Sequence, residues 1–235
     1  MKVPPHQPFQ AFSIVFEDNH LLIVNKKAGV LVQSDATGDK CLADYAKEYI
    51  KEKYQKQGNI FCGVVHRLDR PVSGIVVLAK TSKALERMNE LFRENKVQKT
   101  YWALVLQKPK NEEDILVHWL RKDTKKHFAI AYNQEAVNSQ RAELSFKILQ
   151  HFGDETLLEV KPVTGRFHQI RVQLSKIGST IKGDLKYGAK VPNKDASICL
   201  HARRIEFVHP IKNELLVVEA PLPSVKEWEN ANIIR

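Results

Sequence analysis

Residues 63–80, "GVVHRLDRPVSGIVVLAK", constrain the fold of this chain more than any other stretch. Both ends are apolar and β-branched, which suits a strand packed inside a sheet. The middle carries His66, Arg67, Asp69 and Arg70. A charged break in a sheet-forming run marks either a turn or a chemical task. An aspartate before "RPVSG" can simply begin a turn, because Asx side chains bond nearby backbone ahead of Pro and Gly. Taken alone, the turn is the simpler explanation of Asp69.

The flanking segments set the fold class. "FSIVFEDNHLLIVNKKAGVLV" reads as a strand, a turn at Asp18 and Asn19, a second strand and a turn at Gly29. From Lys40 onward Leu42, Tyr45, Tyr49 and Ile50 recur at helical spacing until "QKQGN" ends the pattern. A second helix follows Ser82, with Leu85, Met88, Leu91 and Phe92 toward the core. "KTYWALVL", "RAELSFKIL" and "ETLLEVKPV" are strands, and "HPIKNELLVVEAP" is a closing hairpin turning at Asn213. The stretch from Gln107 to Gln140 is polar and reads as an irregular surface excursion. Strands outnumber helices without alternating with them, so the expected class is α+β: a largely antiparallel, mixed sheet flanked by helices. There is no repeat or low-complexity linker, and residues 1–235 are expected to form one domain.

A hydrophobic content of 43% supplies a core for such a domain. The excess of 37 Lys and Arg over 27 Asp and Glu, a net charge of +10, makes a polyanion the natural partner. Charge alone leaves membrane surfaces and acidic proteins open. Cys41, Cys62 and Cys199 are too far apart for a Cys-x-x-Cys pair and odd in number, which points to a reducing compartment. The opening "MKVPPHQPFQ" has no apolar core of a secretory signal, and no apolar run approaches the ~18 residues of a membrane span. The expectation is a soluble cytoplasmic protein.

Several chemistries lack their parts. "HRLD" differs from the His-Arg-Asp of protein kinases by an inserted leucine, and no Gly-rich loop, Asp-Phe-Gly or Ala-Pro-Glu accompanies it. No P-loop, His-Glu-x-x-His or Gly-x-Ser-x-Gly is present. What remains is "VTGRFHQIRVQLSKIG", read as a helix opening near Gly165 and ending at Gly178. It places Phe167, Ile170, Leu174 and Ile177 on an apolar stripe, with His168 and Arg171 on another. On that second stripe Arg171 either lies exposed or faces a cleft, where its fixed charge would keep a carboxylate ionised. In "KTYWALV", Tyr101 and Trp102 point to opposite faces of a strand. One ring is core; the other either forms a second core layer or stacks on a nucleobase.

Taken together, these segments resemble the RluA-type pseudouridine synthases over nearly the whole chain. "FEDNHLLIVNKKAG" is similar to their opening motif and "HRLDRPVSGIVVLAK" to the segment bearing the catalytic aspartate. "KTYWALV" is similar to the tyrosine segment, "TGRFHQIRVQLSKIGSTIKGDLKYG" to the arginine motif, and "LHARRIEFVHP" also matches. Two positions depart from the usual pattern: Lys27 stands where "KPAG" has proline, and Val72 where "TSG" has threonine. Loss of the threonine hydroxyl implies an altered loop support around Asp69.

The resemblance implies a pseudouridine synthase catalytic fold that isomerises uridines in transfer or ribosomal RNA, without cofactor or metal. Asp69 would be the nucleophile, attacking either the uracil ring or the anomeric carbon. Tyr101 would stack on the uracil, and Arg171 would complete the catalytic set as the electrostatic partner of Asp69. Arg67 would enter the space left by a flipped base, Leu200 would pack on that base, and His66 and Arg166 would add substrate contacts. Other implied features are a monomer and a catalytic domain that binds RNA without an N-terminal accessory domain. A non-catalytic RNA-binding or ribosome-associated protein on the same fold is the alternative, and the intact set of Asp69, Tyr101 and Arg171 argues against it.

Overall fold

The computed structural model describes residues 11–35 and 37–231, so the proline-rich opening lies outside the described residues. Two compact units are distinguished: residues 1–97 with 204–221, and residues 98–203 with 222–235. All the strand pairs described below are antiparallel. Together with the three helices of eight or more residues found among the described residues, they make the fold α+β, as the strand-rich pattern predicts.

In the first unit β1 (Phe12–Glu17) and β2 (Leu21–Lys26) form the expected hairpin. The Asp18 carboxylate closes it by accepting from the backbone N–H of His20 and Leu21, both at 2.8 Å. β3 (Gly63–Val64) and β4 (Ser73–Ala79) follow in the chain, and β4 pairs with both β2 and β3. Leu21–Val24 and the whole of β4 are buried, so both faces of these strands are covered. That is why their sequences read as continuous apolar runs and not as alternation.

Helix α1 (Leu42–Lys53) buries Leu42, Ala43, Ala46 and Ile50. Its tyrosines are only half-buried, and the Tyr49 hydroxyl donates to Glu17 at 2.7 Å. Helix α2 (Ser82–Arg93) packs on β4 through Ala84 and Met88, and Thr81 caps it by accepting from the N–H of Ala84 at 3.2 Å. Burial of a side chain such as Met88 contributes roughly 1.5–3 kcal/mol.

In the second unit the strand order is β5, β9, β8, β6, β7, from β5 (Gln98–Val105), β6 (Glu113–Asp123), β7 (Phe128–Tyr132), β8 (Gln140–Phe152) and β9 (Glu155–Pro162). Helix α3 (Gln169–Lys176) packs on β6 and β7. The stretch expected to be irregular thus contains a hairpin, β6 with β7, that joins the sheet through β8 and ends the strand order at β7. Its inward positions are Leu116, His118 and Leu120, and a histidine in that series hides the alternation from a sequence reading. Gln173 of α3 compensates, its amide lying 3.1 Å from the His118 ring and donating to the Leu116 carbonyl at 3.1 Å.

The chain crosses from one unit to the other within β10 (Leu200–Val208), whose residues from Arg204 pair with β11 (Leu215–Glu219) across the predicted turn at Asn213. The three cysteines are free and buried, and burial pushes the thiol of Cys62 up to about 11 and that of Cys199 to about 12. Among the described residues, no helix is long and apolar enough to cross a membrane.

Candidate active site

In the first unit, Asp69 is half-buried at the start of a turn in which its carbonyl accepts the N–H of Val72 at 3.0 Å. The turn suggested by the sequence exists, closed by that backbone bond. Val72, at the position of the usual threonine, is 2% exposed, so the loop rests on apolar packing. Arg67 is exposed. His66 is held by its neighbours: its Nε2 accepts from the N–H of Val77 at 3.1 Å, and its ring stacks on Phe92 at 5.0 Å.

The loop is fixed from beneath by Lys26, which sequence reasoning passed over. Its side chain is fully buried, and Nζ donates to the carbonyls of Lys27 (3.0 Å), Val30 (2.9 Å) and Arg70 (3.3 Å). The three acceptors match the three N–H bonds of an ammonium. Burial pushes the Lys26 pKa down to about 7, the negative charge of Asp69 opposes that shift, and Arg70 adds to it. Gly29, at φ +86°, makes the same turn possible and gives its N–H to the Arg70 carbonyl at 2.8 Å. Arg70 returns a bond from Nε to the Gly29 carbonyl at 3.0 Å and pairs with Asp39 at 2.9 Å. The residue that follows Asp69 is therefore tied to the turn after β2 at several points. The departure at Lys27 has a structural use as well: its N–H donates to the Ala11 carbonyl at 2.9 Å, a bond proline could not make.

In the second unit, Tyr101 is half-buried on β5 opposite Val160, and the next residue, Trp102, carries the Arg203 guanidinium over its ring at 5.2 Å. Leu200 is buried at the start of β10. Helix α3 begins four residues later than expected, at Gln169, because Gln169 folds back on the preceding turn. Its side-chain oxygen accepts from Thr164 (2.8 Å) and from the Arg166 N–H (2.9 Å), while its amide donates to the Glu143 carbonyl (3.0 Å). His168 consequently sits at the cap with φ 52°, outside the helix, and the predicted stripe shared by His168 and Arg171 does not form.

Residues 169–174 are all buried, and Arg171 with them at 5% exposed, so it is neither an exposed arginine nor on a solvent stripe. Its guanidinium makes a bidentate pair with the buried Asp184, Nε to Oδ2 at 2.7 Å and Nη2 to Oδ1 at 2.8 Å, and lies 5.0 Å from the Tyr187 ring. Arg166 is exposed, with Nε donating to the Arg141 carbonyl at 3.2 Å. The available signal for Asp184 and Tyr187 was their place in "KGDLKYG", directly after the helix. Gly183, at φ +82° and with Asn193 atoms 2.7 Å from where a Cβ would stand, shows how tightly that segment is packed.

The sequence pattern of the RNA pseudouridylate synthase family matches residues 20–176, and this chain belongs to that family. It is similar to the ribosomal large subunit pseudouridine synthase C of Vibrio cholerae, with 37% identity over 89% of this chain and 65% of that protein. It thus spans slightly less than two thirds of that relative. The dual-specificity RNA pseudouridine synthase RluA of Haemophilus influenzae is 31% identical, over 92% of this chain and 95% of its own length, which places the resemblance in the RluA type. The fold is that of human RNA pseudouridylate synthase domain containing 4, with a TM-score of 0.75 at 24% identity over 90% of this chain and 88% of that one. Among the described residues, no cluster of histidine, cysteine and carboxylate side chains could hold a metal ion.

Proposed function

We propose that this chain isomerises uridine to pseudouridine in structured RNA, transfer or ribosomal, with Asp69 as the nucleophile. The observation that carries the reading is that the family match runs from residue 20 to residue 176 and contains Asp69, Tyr101 and Arg171 in one uninterrupted span. The reaction breaks the bond from the ribose anomeric carbon to ring N1 and forms one to C5. The C5 proton leaves and N1 gains one, so atoms balance without a co-reactant. Asp69 forms the ester-like adduct and is released again.

Tyr101 stacks on the uracil and Leu200 packs on the base. The base leaves its stack at a cost on the order of a few kcal/mol, and Arg67 fills the vacancy. His66 acts through the loop it braces, and Arg166 reaches a phosphate. Arg171 contributes a fixed positive charge held in place by Asp184. The full set of residues 1–235 works as one catalytic domain, as a cytoplasmic monomer and without a metal.

The test uses the purified protein, RNA from cells lacking it, and EDTA in the buffer. Pseudouridine is mapped by mass spectrometry of nuclease fragments. Wild-type protein forms it at discrete uridines. Asp69→Asn keeps the shape, binds RNA within about threefold of wild type and forms none. Turnover by Asp69→Asn would remove Asp69 from the mechanism.

A further inference from the structure

Phe167 stands at the outer end of a chain of aromatic rings in the second unit. Its ring stacks on His168 at 3.8 Å and 18°, His168 meets Tyr187 edge-on at 5.6 Å, and Tyr187 stacks on Phe128 at 5.1 Å. The Tyr187 hydroxyl fixes the series, lying 2.8 Å from His168 Nδ1 and accepting the Ala129 N–H at 2.8 Å. Tyr187 itself belongs to the buried cluster formed with Leu120, Ala142 and Val172. A ring held this firmly could have been folded inward, yet Phe167 remains 36% exposed.

A cation lies over that ring, and others share its segment of the fold. The Lys122 ammonium lies 4.6 Å from the Phe167 centroid. Lys122, Lys125 and Lys126 are exposed at the tip of the β6–β7 hairpin. Lys186 joins them by donating to the His127 carbonyl at 3.0 Å, and Arg166 precedes Phe167 in the chain. Asp123 is the acidic group of the tip, and one of its oxygens is engaged by the N–H groups of Lys125 and Lys126, both at 3.0 Å. Among the described residues, no carboxylate forms an ion pair with Lys122, Lys125, Lys126 or Lys186.

We infer that Phe167 and the β6–β7 tip form a docking surface for a single-stranded stretch of RNA, a role beyond those assigned to Asp69, Tyr101 and Arg171. An unpaired nucleobase stacks on Phe167, and the phosphates on either side lie against the lysines of the tip. Lys122 sits on a flexible stem. A base that displaces its ammonium from the ring leaves it beside that nucleotide's own phosphate, so the positive charge is reused. A duplex, whose bases are already stacked on one another, cannot use the exposed ring. The inference rests on RNA as the substrate and names which part of it this surface takes: a loop or unpaired flank.

The test compares fluorescein-labelled oligouridylate of about a dozen nucleotides with duplex RNA of equal length, by anisotropy across a salt series. Phe167→Ala is expected to weaken oligouridylate binding about tenfold and duplex binding less than twofold, with Phe167→Tyr close to wild type. The triple change Lys122→Ser, Lys125→Ser, Lys126→Ser should reduce the slope of log affinity against log salt by about 2. Ultraviolet crosslinking followed by peptide mass spectrometry reads the contact directly, with uridine expected on the peptide containing Phe167. Unchanged affinity and slope in both variants, or crosslinks confined to other peptides, would overturn the surface. Wild-type protein is assayed in parallel for pseudouridine. Its failure on every RNA, with crosslinks still at Phe167, would sink the proposed activity and leave this surface standing.

Discussion

A lysine with no solvent contact is unusual, and Lys26 is held so by carbonyls on two segments, one of them at the residue after Asp69. Lys26→Met leaves those carbonyls without their donor and should cost about 3 kcal/mol, read from urea unfolding. The pH dependence has a definite sign. With its folded pKa pushed down to about 7 from 10.5, Lys26 binds fewer protons folded than unfolded between those two values. Its contribution to stability therefore rises with pH across that window and is flat below it. The stability gap between wild type and Lys26→Met should widen from pH 7 to pH 10, and a constant gap would rule out the depressed pKa. Arg171 calls for a different expectation. Because Asp184 shares its buried guanidinium, Arg171→Met strands a buried carboxylate and should destabilise the fold by about 3–5 kcal/mol, whereas Arg171→Lys should lose less. An Arg171→Met protein that unfolds at the wild-type urea midpoint would show that the pair is not a structural one.

At the scale of elements, the turn between β2 and α1 joins with the loop from Asp69 to Val72, and the backbone N–H of Lys27 is one of its fixed points. Lys27→Pro restores the usual family residue but removes the bond to Ala11, and should lower stability by about 1 kcal/mol in urea. A gain would mean that the stiffer proline outweighs that bond. Strand and helix identities here were mostly readable in advance: β1, β2, α1, α2 and the turn at Asn213 all lie where apolar periodicity and turn residues put them. The β6–β7 hairpin and the start of α3 were not. His118 occupies an inward position where its ring meets the Gln173 amide, and Gln169 caps a turn through the Glu143 carbonyl of β8. No local window contains both members of either pair.

For the molecule as a whole, the acid limit should be set in the first unit. Glu17 is desolvated, which on its own would raise its pKa, but bonds from Lys53, Lys80, Tyr49 and Tyr54 outweigh this and hold it at about 2. Asp18 is likewise desolvated and is held at about 2 by Lys212, the N–H groups of Leu21 and His20, and His209. Both carboxylates protonate at lower pH folded than unfolded. The stability they supply is complete above pH 5 and lost as pH falls toward 2. Glu17→Gln should cost about 3 kcal/mol at pH 7, because it leaves the buried Lys80 without its counter-ion, and should converge with wild type near pH 2. Parallel stability curves over that range would exclude Glu17 as an acid-sensitive group.

The sequence by itself determined the strand-rich composition, most element positions and the segment around Asp69, since each depends on residues close in the chain. Its motifs also carried the family. Tertiary structure decided which charges are buried and with what. Lys26 is set by the Arg70 carbonyl, Arg171 by Asp184, and Phe167 by a ring series anchored on Tyr187. A charged or aromatic side chain has no fixed role in a local pattern. Its cost or use follows from the dielectric and the partners around it, and folding brings those partners from elsewhere in the chain.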